Sequence, residues 1–149
     1  METLESAIKQ TKPIRNEAVR AILNIIYTGN ELSCIIDRFL AEFDLTNTQY
    51  NVLRIIRGAG RPVSTSYIKE RLLFQNADTS RMVSRLVSKG LAQKKPDEYD
   101  RRLVGVELSE KGQQLLEEIE LDNYTEKLPG LSEDECRLLN DLLNKFRNH

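Results

Sequence analysis

Apolar side chains recur through residues 13–43 at Ile14, Ala18, Ile22, Ile25, Ile36, Phe39 and Phe43, a spacing that lines one face of a helix. Pro13 suits a first-turn position, where its missing N–H is not needed, and Gly29-Asn30 is a weak point where the helix is expected to bend. A helix of about 28 residues would run ~42 Å, longer than a small domain needs, so a second chain is expected along it. Three shorter helices follow. Thr46 is a candidate N-cap with Gln49 at the capping-box position, ahead of a stripe of Tyr50, Val52, Leu53 and Ile56 that glycines end. Ser64 caps a short helix that buries Ile68 and Leu72, and residues 76–90 form a third helix, stopped by Gly90 after Lys89.

The period then changes from helix to strand. Val104, Val106 and Leu108 alternate onto one face, and residues 91–95 with 102–109 frame a β-hairpin whose tip is the charged stretch between them. An acidic amphipathic helix over 109–128 carries Leu115, Leu116 and Ile119, and Pro129-Gly130 interrupts it. A last helix over 131–148 starts at a Ser132 cap with Glu135 at its capping-box position. Three helices followed by a hairpin is the layout of a winged helix-turn-helix. The expected fold is mainly α with a small β-hairpin wing, a single domain over 1–149. Within it 45–109 form a DNA-binding lobe, and 13–43 with 110–148 form a helical region that pairs two chains.

Charge sharpens this picture only when the chain is divided. The total is −1 at pH 7. Residues 61–102 nevertheless carry ten bases against five acids, and residues 103–149 five bases against eleven acids. A basic centre and an acidic last third are concealed in a neutral sum, and the local field decides what a surface attracts.

On the predicted third helix, Met82, Val83, Leu86 and Val87 fall together at 100° per residue and must bury. Opposite them lie Ala77, Arg81, Ser84, Arg85 and Ser88, flanked by Thr79 and Ser80; the one acid is Asp78, in the first turn. Small and hydroxylated residues permit close approach to base edges, and arginine forks onto guanine or phosphate. Ordinary solvated helix faces mix Glu with Lys instead. This face, with Ser64, Lys94, Lys95, Asp100, Arg101 and Arg102, is the expected contact set for double-stranded DNA. Asp100 and Arg102 are two apart on a strand and share a face, so the carboxylate can aim the guanidinium.

The stretch Thr79–Gly112 resembles the recognition helix and wing of the MarR family of bacterial transcription regulators. Arg85-Leu86, Gly90-Leu91, Lys94-Lys95, Asp100-Arg101-Arg102 and Leu108-Ser109 to Gly112 carry the resemblance, and residues 45–56 resemble the helix that opens the family's DNA-binding lobe. The resemblance implies a homodimer with interlocked first and last helices, bound to a roughly palindromic operator. Arg102 would be the wing-tip arginine in the minor groove and Asp100 the residue that orients it. It also implies a small-molecule effector held between the helical region and the DNA-binding lobe, usually relieving repression. Asn24, Tyr27 and Tyr50 are candidate lining residues, although core packing accounts for them more simply. A subgroup of the family senses oxidants through a cysteine near the start of the first helix; here Cys34 lies well inside it.

Other chemistry finds little support. His149 is the only histidine, which leaves Ser–His and Cys–His catalysis without a placed base. Cys34 and Cys136 are far apart and read as small apolar residues in helical patterns, so neither a metal nor a cofactor is expected. No run of about 18 apolar residues predicts a membrane span, and the first residues lack the pattern of a signal peptide. Both point to the bacterial cytoplasm. The alternative to a DNA-binding regulator is a winged-helix module that holds a protein partner through its acidic C-terminal helices.

Overall fold

A computed structural model describes residues 2–73, 78–96, 104–119 and 130–148. Seven helices and two strands occur among them: α1 (Leu4–Ala7), α2 (Glu17–Ala41), α3 (Asn47–Ala59), α4 (Thr65–Arg71), α5 (Thr79–Ser88), β1 (Ala92–Pro96), β2 (Val104–Leu108), α6 (Glu110–Glu118) and α7 (Glu133–Arg147). The chain divides into two compact units, Met1–Leu116 and Glu117–His149.

Local signals set most of the boundaries. The Thr46 hydroxyl accepts from the Gln49 amide while the Gln49 side chain accepts from the Thr46 amide, the expected capping box. Ser132 and Glu135 close the same box at α7. Hydrogen bonds from the Ser132 backbone and hydroxyl hold the Glu135 carboxyl below the usual carboxylate range. The first long helix is shorter than expected. It starts at Glu17 because the Asn16 side chain accepts from the Ala18 and Val19 amides, which leaves Pro13 upstream of the helix. It also runs without interruption through Gly29-Asn30. One element was not anticipated. Thr3 caps the short α1, Leu4 buries, and Glu5 pairs with Arg20 of α2 at 2.8 Å.

The core of the first unit is built where the amphipathic stripes meet. Leu40 of α2, Val52 and Leu53 of α3, Ile68 of α4, Val83 and Leu86 of α5 and Val106 of β2 are all sealed from solvent. β1 and β2 pair antiparallel with Ala92 opposite Leu108 and Pro96 opposite Val104. Val63, just before α4, adds a third rung through two mutual backbone bonds with Val106, at 2.8 and 2.9 Å. Of the alternating wing residues only Val106 is buried; Val104, the first residue of β2, stays half exposed.

The α2 stripe behaves differently. Ile22, Ile25, Ile26 and Ile35 remain 39–55% exposed, and in the second unit Leu138, Leu139, Leu142 and Phe146 of α7 are exposed too. Cys34 and Cys136, read as small apolar residues in helical patterns, lie on these helices and are exposed. No helix among the described residues is long and apolar enough to cross a membrane.

The tightest constraint joins the end of α5 to the start of α6. Gly90 adopts φ +72°, and the Leu91 and Gly90 amides return to the Leu86 and Val87 carbonyls at 3.0 and 2.9 Å. This is a complete Schellman ending, with Leu86 and Leu91 both buried. Ser109 then donates its hydroxyl to the Gly90 carbonyl at 2.6 Å and its amide to the Leu91 carbonyl at 3.2 Å. The same hydroxyl accepts from the Gly112 amide at 3.0 Å and so caps α6. A methyl group on Gly112 would run into the Leu91 carbonyl, so only glycine lets the two backbones approach.

Gly112→Ala should therefore destabilise the fold by about 1–3 kcal/mol, read as a lower urea midpoint. Gly29→Ala, in open space within α2, should be neutral or stabilising by up to about 1 kcal/mol. Equal midpoints for the two variants would remove the close approach as a constraint.

Candidate nucleic-acid interface

α5 begins at Thr79, later than the expected residue 76, because Asp78 is its cap: the carboxylate accepts from the Arg81 amide at 3.1 Å. Ala77 precedes that cap and lies outside the described residues, as do Asp100, Arg101 and Arg102. Val83 and Leu86 are buried, with Met82 and Val87 half-buried beside them. Ser80, Arg81, Ser84, Arg85 and Ser88 form the solvent face. Thr79, expected to flank that face, is instead 6% exposed and packed into the lobe. It is the first residue after the cap, where the helix turns inward toward α4.

The chemistry of the outward face is specific. Ser84 donates its hydroxyl to the Ser80 carbonyl at 2.9 Å, and Ser88 donates to the Arg85 carbonyl at 2.8 Å. With their protons turned into the helix, both hydroxyls present acceptor lone pairs outward. Arg81 and Arg85, one turn apart, have no carboxylate partner among the described residues. A row of two unpaired guanidiniums and acceptor hydroxyls, free of large side chains, matches the donors, acceptors and phosphates of a duplex edge.

The helix is anchored at its far end by Lys89. Its ammonium grips both the backbone carbonyl and the carboxylate of Asp44, the corner between α2 and α3, the carboxylate at 2.9 Å. Lys111 of α6 in turn donates to the Lys89 carbonyl at 3.2 Å. Neither lysine stood out in the sequence as a positioning residue, since nothing local shows that Asp44 lies near Lys89.

Ser64 caps α4, its hydroxyl accepting from the Tyr67 amide at 3.1 Å, and remains exposed. The wing separates its two lysines. Lys95 pairs with Glu107 at 3.5 Å across the hairpin, and Glu107 also accepts from Gln93 at 2.8 Å. Lys94 lies on the other face, opposite Val106. The three ligand candidates differ in exposure. Asn24 is exposed on α2, Tyr27 is half-buried, and Tyr50 is buried, with Arg54 near its ring at 5.9 Å. Burial raises the Tyr50 phenol above its ordinary value, with the charges of Arg54 and Arg57 acting the other way. No group of His, Cys, Asp and Glu among the described residues could hold a metal ion.

The comparisons with known proteins agree with this geometry. The model of the MarR family matches residues 43–103. The multiple antibiotic resistance protein MarR of Salmonella typhimurium is 29% identical over 143 residues, covering 93% of this chain and 99% of that protein. The transcriptional regulator PecS of Dickeya dadantii is 28% identical, covering 84% of this chain and 81% of its own. Among solved structures, a C80S mutant of MarR from E. coli complexed with operator DNA superposes with a TM-score of 0.74. It is 28% identical, over 91% of this chain and 99% of that one.

Asp78→Ala should cost about 1 kcal/mol of stability through loss of the cap and should speed hydrogen exchange at the Arg81 amide. Asp78→Asn, which keeps the acceptor, should leave that exchange rate near the parent's.

Proposed function

We propose that the chain is a winged helix-turn-helix transcription regulator of the MarR family, a reading that the family match over residues 43–103 and the similarity to MarR support, and that it binds a roughly palindromic operator as a homodimer and represses transcription until a small-molecule effector releases it. The observation that carries this reading is the outward face of α5, where Arg81 and Arg85 stand without carboxylate partners among the described residues, beside acceptor hydroxyls. A helix so faced, held rigidly at both ends, is a probe for the major groove. The operator complex of the E. coli relative supports the same use here.

The wing completes the interface. Arg102 at its tip enters the minor groove, and Asp100 aims it through a charge-assisted bond. The lobe over 45–109 binds DNA, and 13–43 with 110–148 pair the two chains. Exposed Ile22, Ile25 and Ile26 on α2, and exposed Leu138, Leu142 and Phe146 on α7, favour that pairing, because apolar rows of this size are normally covered. Two recognition helices in a two-fold dimer read half-sites about one helical turn apart. The chain works in the bacterial cytoplasm, where its DNA is.

DNA selected from the source genome should bind with an affinity that falls steeply as salt rises, at ~0.9 in log–log slope per phosphate neutralised. The Arg81→Ala, Arg85→Ala double variant should lose both affinity and sequence discrimination, at about 1–3 kcal/mol per base contact removed. Arg102→Ala should weaken binding with little change in melting temperature, since an exposed ion pair contributes only ~0–1 kcal/mol. A parent that ignores DNA across all salt concentrations would instead identify a protein-interaction module.

Pairing has its own check. Sedimentation should give a dimer for the parent, and Ile22→Asp with Ile26→Asp should shift it towards monomer. A monomeric parent would exclude the two-fold arrangement.

A further inference from the structure

A pocket of about 430 Å³ lies on the flank of α5, where the end of that helix passes the corner between α2 and α3. Ala41 and Leu45 give it a small apolar wall, and Thr46, Gln49, Arg85 and Lys89 supply polar groups. Among the described residues that line it none is aromatic, so it offers no platform to a flat hydrocarbon body.

Gln49 is the unusual member. It is 4% exposed, and its side-chain oxygen accepts from the Thr46 amide at 3.1 Å. A backbone amide only donates, which fixes the oxygen at that end of the carboxamide and the nitrogen at the other. The nitrogen carries two N–H donors, and no acceptor meets them among the described residues. Buried donors are normally satisfied, and one left unpaired is costly. Capping does not explain this nitrogen. The box needs only an oxygen at this position, and Glu135 fills the same place at α7 with a carboxylate.

The groups around it share one sign. Arg85 has no carboxylate partner among the described residues. Asp44 is the acid at the rim, and the Lys89 ammonium neutralises it at 2.9 Å while also donating to the Asp44 carbonyl. An ammonium has three donors, so one remains. The first turn of α3 also opens here and adds the positive end of its dipole. We infer that the pocket is a site for a small oxyanion of the phosphate class, accepting from the Gln49 amide nitrogen and the Arg85 guanidinium. A water molecule in its place would satisfy Gln49 but leave the guanidinium without a counter-charge. Arg85 belongs to the outward face of α5 as well, so the oxyanion is either free phosphate or a backbone phosphate of a duplex on that face. The second source rests on the function proposed above; the site itself does not.

The test is a titration of the full chain with inorganic phosphate, ionic strength held constant with chloride, read at the side-chain NH₂ resonances of Gln49. Phosphate should shift that pair and the Arg85 side-chain N–H signal; chloride alone should not. Gln49→Glu keeps the oxygen that Thr46 needs and removes both donors. Hydrogen exchange at its Thr46 amide should stay near the parent's, while phosphate binding, read at Arg85, weakens by about tenfold. Arg85→Gln, at an exposed position, should weaken phosphate by about tenfold as well, and it decides the matter if Thr46 protection is lost in the first variant. DNA selected from the source genome separates the two sources. If the oxyanion is a backbone phosphate, the duplex alone should move the Gln49 pair and added phosphate should then change nothing. If it is free phosphate, the pair should move only when phosphate itself is added. A pair that neither phosphate nor DNA moves, or full phosphate binding by Arg85→Gln, would overturn the site. A chain that binds phosphate but ignores DNA would keep the site and lose the operator-binding function; DNA binding with an unmoved pair would do the reverse.

Discussion

The close approach of Leu91 and Gly112 is the constraint on which the lobe depends. At this point α5 has ended, β1 is starting, β2 has just returned and α6 begins. Gly90 supplies the left-handed turn, Ser109 links the Gly90 carbonyl and the Gly112 amide through one hydroxyl, and Gly112 leaves room for the Leu91 carbonyl. Loosening it would free both α5 and the wing. The patch thus holds α5 and both strands of the hairpin to one another.

Charge is organised around that scaffold by position rather than amount. The cations of the lobe fall into separate sets. Arg81 and Arg85 stand on the outward face of α5, Lys89 is spent on Asp44, and Arg57, Arg61 and Lys95 line a cleft between the end of α3 and the hairpin. The Lys89–Asp44 contact has a mechanical consequence. It fastens the C-terminal end of α5 to the corner where the long α2 turns into α3. A change in the setting of α2 would therefore reach α5 through a direct bond as well as through packing.

Much of this was legible in the sequence because the signals are local. Capping boxes at Thr46–Gln49 and Ser132–Glu135 are formed by residues three apart, and a Schellman ending needs only Gly90 after an apolar stripe. The outward face of α5 follows from a 100° rotation per residue. Local competition also explains the misplaced ends. Asn16 and Asp78 are stronger caps than the Pro13 and residue-76 starts that periodicity alone suggested, because each accepts backbone amides that would otherwise go unpaired.

What the chain determined by itself was the kind, order and facing of its elements, since helical and strand periods and caps depend on neighbours within a few residues. Only the tertiary structure decided which distant groups meet. That Lys89 finds Asp44, 45 residues away, that Thr79 is buried while Ser80 is not, and that Lys95 meets Glu107 across the hairpin are outcomes of packing. The cleft between the end of α3 and the hairpin is of the same kind. Its walls come from four segments between Ile56 and Gln113, and no stretch of sequence contains the space they enclose.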